Sequence, residues 1–329
     1  MKFRRLLLLL PVLGFLWAFI PQGANAGSVP SQDFWIVCPY TGITATVDPI
    51  VDPGSTTTAH FHDFYGNTTI NENSTPASLQ AAGAGATSCT TATDTAAYWA
   101  PELLLQPNET QTYGPPGAPC TTLASGLQAC HYAYIRAYYS NGSVPVSNLP
   151  FGMSTVGGNS DATGVQPMSQ VTFSCGSGTP FETHPYSCAG HINLATGNDG
   201  IVARAIMPRC WNGQDATNRA NFHYPPCAAS DQVLPVVNVR FHTGIVSPCP
   251  GSTCAAGNTQ TPAFGFRNAD DSLKPWYQFH ADFMNGWQYG DSGTSDNMGG
   301  VDDLVQDCLI SALACPPNPH TTPHNNMPT

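Results

Sequence analysis

The amino-acid sequence predicts a mainly β protein: a disulfide-tied β-sandwich or jelly roll forming a single domain, with long loops and a short C-terminal helix. Three observations favour this class. Short segments of alternating polarity recur between Gly, Pro, Asn and Ser residues. All 12 cysteines follow a leader-like N-terminus, which indicates up to six disulfides. Charged residues are only 9% of the chain, a composition common in secreted β-rich proteins.

The N-terminus has the pattern of an export signal. Residues 1–26 combine a basic start, an apolar run and an Ala-Asn-Ala cleavage motif, so we expect the mature chain to begin near Gly27 and to be secreted. Pro11 and Gly14 interrupt the apolar run, which disfavours a permanent membrane anchor. Removing the signal leaves seven basic and 21 acidic residues, a net charge of −14. Nucleic acid and anionic membrane are therefore poor partners.

The domain organisation follows from composition. No Ser/Pro-rich linker or charge run divides residues 27–315, so we expect one domain there. Residues 316–329 are rich in Pro, Asn, His and Thr and lack a periodic apolar pattern, which predicts a disordered tail.

Four segments alternate clearly enough to be predicted as strands: Ile43–Val47, His131–Tyr139, Val202–Met207 and Val233–His242. In the last of these, every second residue is apolar, and the polar face carries Asn238, Arg240 and His242. Such a face could line a cleft, but we favour a plain solvated side of a sheet. Tyr132, Tyr134 and Tyr138 are expected to share a face with Arg136, an arrangement that suits either sugar stacking or packing under a loop.

Two helices are predicted. Residues Val301 to about Leu313 carry apolar side chains at helical spacing, and two aspartates lie in the first turn, where the helix dipole favours them. A weaker helix is expected over Pro76–Ala82. We also expect local disulfides between Cys249 and Cys254 and between Cys308 and Cys315.

Two short motifs carry the sharpest functional signal. His60 and His62 are two residues apart, as are His280 and Asp282, and alternate side chains of a strand share a face. Imidazoles and carboxylates are the ligands of zinc, manganese, iron and copper. The spacing therefore predicts a centre in which His60, His62, His280 and Asp282 bind one divalent ion. Asp63 is expected on the opposite face.

A metal-free alternative stays open. Asp282 would then form the carboxylate pair of a glycosidase with Asp63 or another acidic residue, and histidines such as His280 would hold substrate hydroxyls. The other acidic candidates are Asp48, Asp52 and Glu102. In a third interpretation the histidines are purely structural and hydrogen-bond loop backbone.

Several longer motifs resemble those of a known family. They are Asp48-Pro-Ile-Val-Asp-Pro-Gly54, His60-x-His62, Tyr98-Trp99-x-Pro101, Pro150-Phe-Gly152, Cys210-Trp-Asn-Gly213 and His280-x-Asp282-Phe-x-Asn285-Gly-Trp287. Together they resemble the secreted fungal and bacterial proteins grouped as domain of unknown function nineteen-ninety-six, over about Asp48–Cys308. The resemblance implies export and mildly favours a role at cell walls or polysaccharides by analogy.

The chain departs from the family pattern after Cys210-Trp-Asn-Gly213. A histidine-rich stretch is expected there, but residues 218–223 contain only His223, and Asp231-Gln232 stand where the resemblance implies His-Pro. His184 or His191 is a candidate substitute.

These observations favour a secreted polysaccharide- or cell-wall-active hydrolase with catalytic candidates Asp282, Asp63 and His280. The alternative is a non-catalytic protein that binds carbohydrate or a cell surface through aromatic platforms. The candidate substrate-binding residues are Trp99, Trp211, Trp276, Trp287 and Asn285. No G-x-S-x-G or P-loop motif marks another chemistry.

Overall fold

The structure is a computed structural model that describes residues 32–107, 109–247, 264–290 and 300–311. The predicted signal, the predicted tail and the predicted Cys249–Cys254 pair lie outside these residues, as does Cys315. The described strands, in chain order, are β1 Asp33–Ala45, β2 His62–Gly66, β3 Ala97–Pro101, β4 Leu103–Leu105, β5 Thr121–Thr122, β6 Gln128–Cys130, β7 Tyr134–Ser140, β8 Ser154–Gly158, β9 Val171–Ser174, β10 Val202–Ile206, β11 Cys210–Trp211, β12 Phe222–His223, β13 Gln232–Val233, β14 Val236–His242, β15 Phe264–Arg267, β16 Leu273–Lys274 and β17 His280–Met284.

The mainly β prediction is confirmed. Nine strands form one antiparallel sheet in the order β8-β17-β3-β2-β1-β7-β14-β10-β9. The sheet curls until it nearly closes, because β8 comes against the end of β10. A Cβ at Gly157 would lie 2.8 Å from the Ile206 carbonyl oxygen, so only glycine permits this approach. Smaller sheets have the orders β16-β15-β4-β6-β5 and β12-β11-β13.

The interior of the curled sheet holds the main core. Residues that point inward from the strands are aromatic and aliphatic, as in β14, where Val237, Val239 and Phe241 are fully buried. A second, smaller core lies on the outer face of β2 and β3 and includes Phe64 and Trp99. Outward-facing side chains of the sheet therefore meet either this second core or solvent.

Strand boundaries differ from the predictions where proline or apolar outer faces intervene. β1 begins at Asp33 rather than Ile43, because Trp35 and Val37 are apolar on its outer face and hide the alternation. Pro235, which lacks an N–H group, separates β13 from β14, so the predicted Val233–His242 strand is two strands. Tyr132 precedes β7 and is buried in the main core, so it does not share the Arg136 face.

Both predicted helices are present among the described residues. Helix α1 covers Pro76–Ala81 and begins with a capping box, in which Thr75 and Ser78 bond each other's backbone N–H. Helix α2 covers Val301–Val305 and continues as a π-helical turn over Gln306–Ile310, with its apolar stripe buried. Short 3-10 helices cover Leu194–Thr196, Arg219–Asn221 and Trp276–Gln278.

Four disulfides tie the loops to the sheets. They join Cys38 to Cys89, Cys120 to Cys130, Cys175 to Cys188 and Cys210 to Cys227. Cys308 is disulfide-bonded as well. Within the described ranges, no helix combines the length and apolar character needed to cross a membrane.

Candidate metal centre

Strand β3 sets the spacing between the two histidine motifs. It pairs with β2 on one side and β17 on the other, with His62 opposite Pro101 and Asp282 opposite Trp99. The same register carries His280 to the level of Pro101 on the far side. The imidazoles of β2 and β17 therefore lie on the same face of the sheet, across one compact proline ring.

His60 completes the group just before β2 begins. It forms an isolated β-bridge with Asn268, so its position is fixed although it precedes the strand. Its Nε2 lies 3.0 Å from Nε2 of His280, and its ring centroid lies 4.4 Å from that of His62. One nitrogen from each of the three histidines lies within 4.8 Å of the other two, so their side chains converge on one point.

Backbone carbonyls fix the tautomers of two of these imidazoles. Nδ1 of His62 donates to the Val47 carbonyl at 2.9 Å, and Nδ1 of His280 donates to the Gln278 carbonyl at 3.0 Å. Since a carbonyl only accepts, each Nδ1 carries the proton and each Nε2 keeps its lone pair. Nε2 of His62 has no hydrogen-bond partner among the described residues. This is the arrangement of metal-binding histidines, whose other nitrogen donates to a carbonyl or carboxylate.

Burial keeps the three imidazoles neutral. Loss of solvation lowers the pKa of His62 to about 3 and that of His280 to about 4, and neighbouring imidazolium or lysine charges act in the same direction. The pKa of His60 is lowered even further by burial and by His62. Neutral imidazole is the form that binds a metal ion, so the group needs no proton release near pH 7.

Two carboxylates extend the group through His62. Asp48, His62 and Asp282 each offer a ligand atom within 4.8 Å of the others, whereas Asp282 does not belong to the three-histidine group. Asp48 Oδ1 accepts the N–H groups of Ile50 and Val51. Both oxygens of Asp282 are buried without a hydrogen-bond partner in the described part of the chain. Burial, and then Asp48, raises the pKa of Asp282 well above its usual value.

A buried carboxylate with two unpaired oxygens is costly, and a cation beside it would remove that cost. The residues present therefore fit a divalent ion: three neutral imidazoles, two of which share a hydrogen bond from Nε2 of His60 to Nε2 of His280 in this structure, and two adjacent carboxylates. Of the four predicted ligands, the structure brings His60, His62 and His280 together and places Asp282 beside His62.

The opposite face of β2 carries a different cluster, as the strand alternation predicted for Asp63. Oδ1 of Asp63 accepts from Nδ1 of His131 at 2.9 Å and from the Thr44 hydroxyl at 2.6 Å. Glu102 Oε1 lies 3.7 Å from the same His131 nitrogen, and its Oε2 accepts from Arg267 at 2.9 Å. The Tyr40 ring stacks on His131 with centroids 4.5 Å apart.

Asp63 and Glu102 therefore form a buried pair of carboxyl groups, in which the charge on Asp63 makes ionisation of Glu102 less favourable. Burial and the Asp63 charge raise the pKa of Glu102 to about 7, and burial also raises that of Asp63. The pair is separate from Asp282, because His62 and Asp63 point to opposite faces of β2 and Asp282 lies on the His62 side. His131 was not predicted as a site residue. Its only sequence signal is a position next to Cys130, and it comes near Asp63 because β1 pairs with β2 on one side and with β7, which follows His131, on the other.

A family model decides the membership of the chain. The model of the domain of unknown function DUF1996 matches residues 48–287. The chain belongs to the DUF1996 family. The matched span includes every residue of the histidine group and of the Asp63–Glu102–His131 cluster. No curated protein and no solved structure matches the chain.

Most of the tryptophans predicted to stack against sugar rings lie in the core. Trp99 and Trp287 are fully buried, and Trp276 is nearly so, which leaves no face of theirs open to a ligand. Asn285 is buried as well, and its amide donates to the Pro150 carbonyl and to the Tyr289 hydroxyl. Trp211 is half-buried, with its ring stacked on Phe222.

The histidines considered as family substitutes lie away from the centre. His191 is exposed and His184 half-buried, and neither belongs to a metal-binding group among the described residues. His223 instead pairs with Asp231, with Nε2 and Oδ2 2.9 Å apart. The departure from the expected family pattern therefore leaves an exposed ion pair beside the Cys210–Cys227 disulfide.

Proposed function

We propose that this chain is an exported metalloprotein in which His60, His62 and His280 bind one divalent ion, and that it hydrolyses extracellular polysaccharide. The observation that carries the metal proposal is the pair of Nδ1–H bonds to Val47 and Gln278, which leaves the lone pair of His62 and of His280 on Nε2, in a group of three histidines whose nitrogens lie within 4.8 Å of one another. Three protein ligands with a further position for water are typical of catalytic zinc sites.

The chain's own residues would perform distinct tasks. His62 and His280 hold fixed tautomers, His60 closes the group, and the carboxylates of Asp282 and Asp48 balance the charge of a dication in a buried setting. A bound ion would lower the pKa of a water molecule and supply a nucleophile near neutral pH. His60, at 7% exposure, is the most accessible of the three imidazoles, so substrate would approach from its side.

Export and the polysaccharide substrate rest on other observations. The leader-like N-terminus and the four disulfides favour an oxidising extracellular compartment. The choice of polysaccharide draws on the analogy noted for exported members of the family.

A second candidate is a non-catalytic carbohydrate-binding protein in which the ion is structural. Burial of all three histidines favours it, because structural metal sites are closed whereas catalytic ones keep an open position.

The test is a turnover assay on the secreted protein purified without a histidine tag. A polysaccharide panel is incubated with native, chelated and metal-restored protein, and new reducing ends are counted. We expect turnover that chelation abolishes and metal restores, that His280→Ala removes, and that the exposed control His191→Ala retains. Binding without turnover would support the second candidate. Turnover unaffected by chelation and by His280→Ala would contradict the metal proposal.

A further inference from the structure

A row of three arginines crosses the outer face of the large sheet, away from the histidine group. Arg136 on β7 lies directly opposite Arg240 on β14, which lies directly opposite Arg204 on β10. Like charges in adjacent cross-strand positions repel and destabilise a sheet. The described part of the chain contains seven basic residues, so three of them in one row is a concentration of positive charge in an acidic protein.

Arg204 and Arg240 are oriented by rings and short side chains rather than by carboxylates. The guanidinium of Arg240 lies 3.7 Å from the centre of the Tyr138 ring, and that of Arg204 lies 3.7 Å from the centre of the Phe181 ring. Arg204 Nε donates to Thr172 and Arg240 Nε to Asn238. Among the described residues, no carboxylate forms an ion pair with either arginine.

Two arginines of this row, Arg136 and Arg240, line a cleft with a volume of about 380 Å³, which is within the range of small-molecule sites. Half-buried Trp35 and Tyr138 also line it, and they offer aromatic surface of the kind on which sugar rings stack. This corrects the expectation of a plain solvated face, because loop residues such as Thr196 rise beside the sheet and enclose the polar row.

One ring nitrogen of a buried histidine in the same cleft has no hydrogen-bond donor beside it. Nδ1 of His242 donates to Asp199 at 2.8 Å, so its Nε2 is the acceptor nitrogen. That Nε2 is buried and has no partner among the described residues. A hydroxyl group of a ligand would satisfy it, whereas chloride or sulfate has no hydrogen to donate.

We propose that this cleft binds an acidic sugar residue of an extracellular polysaccharide, with Arg240 holding its carboxylate or sulfate and His242 accepting from a hydroxyl. The arginine fork matches planar or tetrahedral oxyanions. The anion would also relieve the repulsion along the row. Asp33, which partly offsets the charge of Arg240, lies on the adjoining strand β1 and does not form an ion pair with it. The site is independent of the metal centre and does not rest on the proposed hydrolysis.

The test is calorimetric titration of the full mature protein with matched oligosaccharides. Tetragalacturonate is compared with its fully methyl-esterified form, which keeps the sugar rings and removes the charges, and with a sulfated oligosaccharide of similar length. We expect at least one charged oligosaccharide to bind at least about tenfold more tightly than the ester, because each charge-assisted hydrogen bond contributes on that scale. The tighter of the two charged ligands identifies carboxylate or sulfate as the group recognised.

Two variants and one control test the residues. Arg240→Gln should weaken binding about tenfold or more, whereas Arg219→Gln, which changes an exposed arginine outside the cleft, should not change it. Arg240→Lys should also weaken binding, since it keeps the charge and loses the fork. Thermal unfolding of each variant checks the fold. Equal affinity for the charged and esterified ligands, no binding of either charged ligand, or equal losses in Arg240→Gln and Arg219→Gln would overturn the proposal.

Discussion

Asp282 is a buried residue whose carboxylate lacks a hydrogen-bond or cation partner among the described residues. Its carboxylate lies near His62, in a fully buried part of β17 where Asp282 is opposite Trp99, and both oxygens lack hydrogen bonds among the described residues. Natural proteins rarely leave such a group unsatisfied without a functional reason. The same carboxylate therefore should cost stability in the metal-free protein and contribute stability in the metal-bound one.

We predict that Asp282→Asn has opposite effects in these two states. In metal-free protein at pH 7 it should raise the free energy of unfolding by about 1–3 kcal/mol, because the variant removes a buried carboxylate that is either charged or protonated at a cost. In metal-loaded protein it should lower that free energy. Chemical denaturation of chelated and loaded samples measures both, with the exposed Asp270→Asn as control. The same sign in both states would contradict a role beside a cation.

Glu102 gives a pH-dependent prediction. Its pKa is about 7 in the folded protein, against 4.5 for the unperturbed group, mainly because of burial and then the Asp63 charge. Between these two pH values Glu102 is protonated in the folded protein and ionised in the unfolded chain. The free energy of unfolding therefore falls as the pH rises through this range. Glu102→Gln should therefore gain stability relative to wild type between pH 4.5 and pH 7.5, by about 2 kcal/mol or more.

Denaturant titrations of Glu102→Gln and wild type at the two pH values provide the measurement. The ion pair with Arg267 forms only where Glu102 is charged, and its stabilising effect is already part of the folded pKa of Glu102, so its loss at pH 7.5 does not change the expected sign. Only the change in the difference between the proteins reports the Glu102 proton. A difference that stays constant, or that shifts in favour of wild type at pH 7.5, would show that the pKa is not raised.

At the scale of elements, the disulfides close loops of very different lengths. Cys38 lies in β1 and is joined to Cys89 across 51 residues, whereas Cys120 and Cys130 are 10 residues apart. A longer closed loop restricts the unfolded chain more.

Removing the Cys38–Cys89 pair by alanine substitution should therefore destabilise the protein by about 4 kcal/mol, against about 3 kcal/mol for the Cys120–Cys130 pair. Equilibrium unfolding of the two double variants compares them directly, each serving as the control for the other. A larger loss for the Cys120–Cys130 pair would contradict the loop-length argument.

The strands also show what sequence reasoning can reach. The alternation of β14 was legible because its outer face is polar, and the histidine spacing correctly indicated a shared face. The 220 residues between His60 and His280 carry no signal of their contact, which depends on β3 lying between β2 and β17. His131 could not be assigned either, because its contact with Asp63 depends on the pairing of β1 with both β2 and β7. The tryptophans could not be sorted into core and surface, because a buried ring and an exposed one have the same sequence pattern.

At the scale of the whole molecule, the polar clusters lie at different places on the nearly closed sheet. The interior is packed with apolar side chains, the histidine group and the arginine cleft lie on outer faces of different strands, and the Asp63 cluster lies on the other side of β2. A substitution in one cluster should therefore leave the other two intact.

Export is a property of the whole chain that can be tested directly. Expression of the full sequence in a secreting host should deliver protein to the medium with Gly27 at its N-terminus, because the Ala-Asn-Ala motif precedes that residue. N-terminal sequencing of the purified protein measures the cleavage point. Retention of residues 1–26 on the product would contradict the export signal.

The binding of a metal ion by His60, His62 and His280 is the central claim, and elemental analysis of the purified mature protein without a histidine tag tests it most directly. The comparison is with a His60→Ala/His62→Ala variant of equal foldedness, after loading with candidate divalent ions and dialysis. We expect close to one equivalent of metal in the wild type and its loss in the variant. Metal absent from both, or retained equally by both, would contradict the claim.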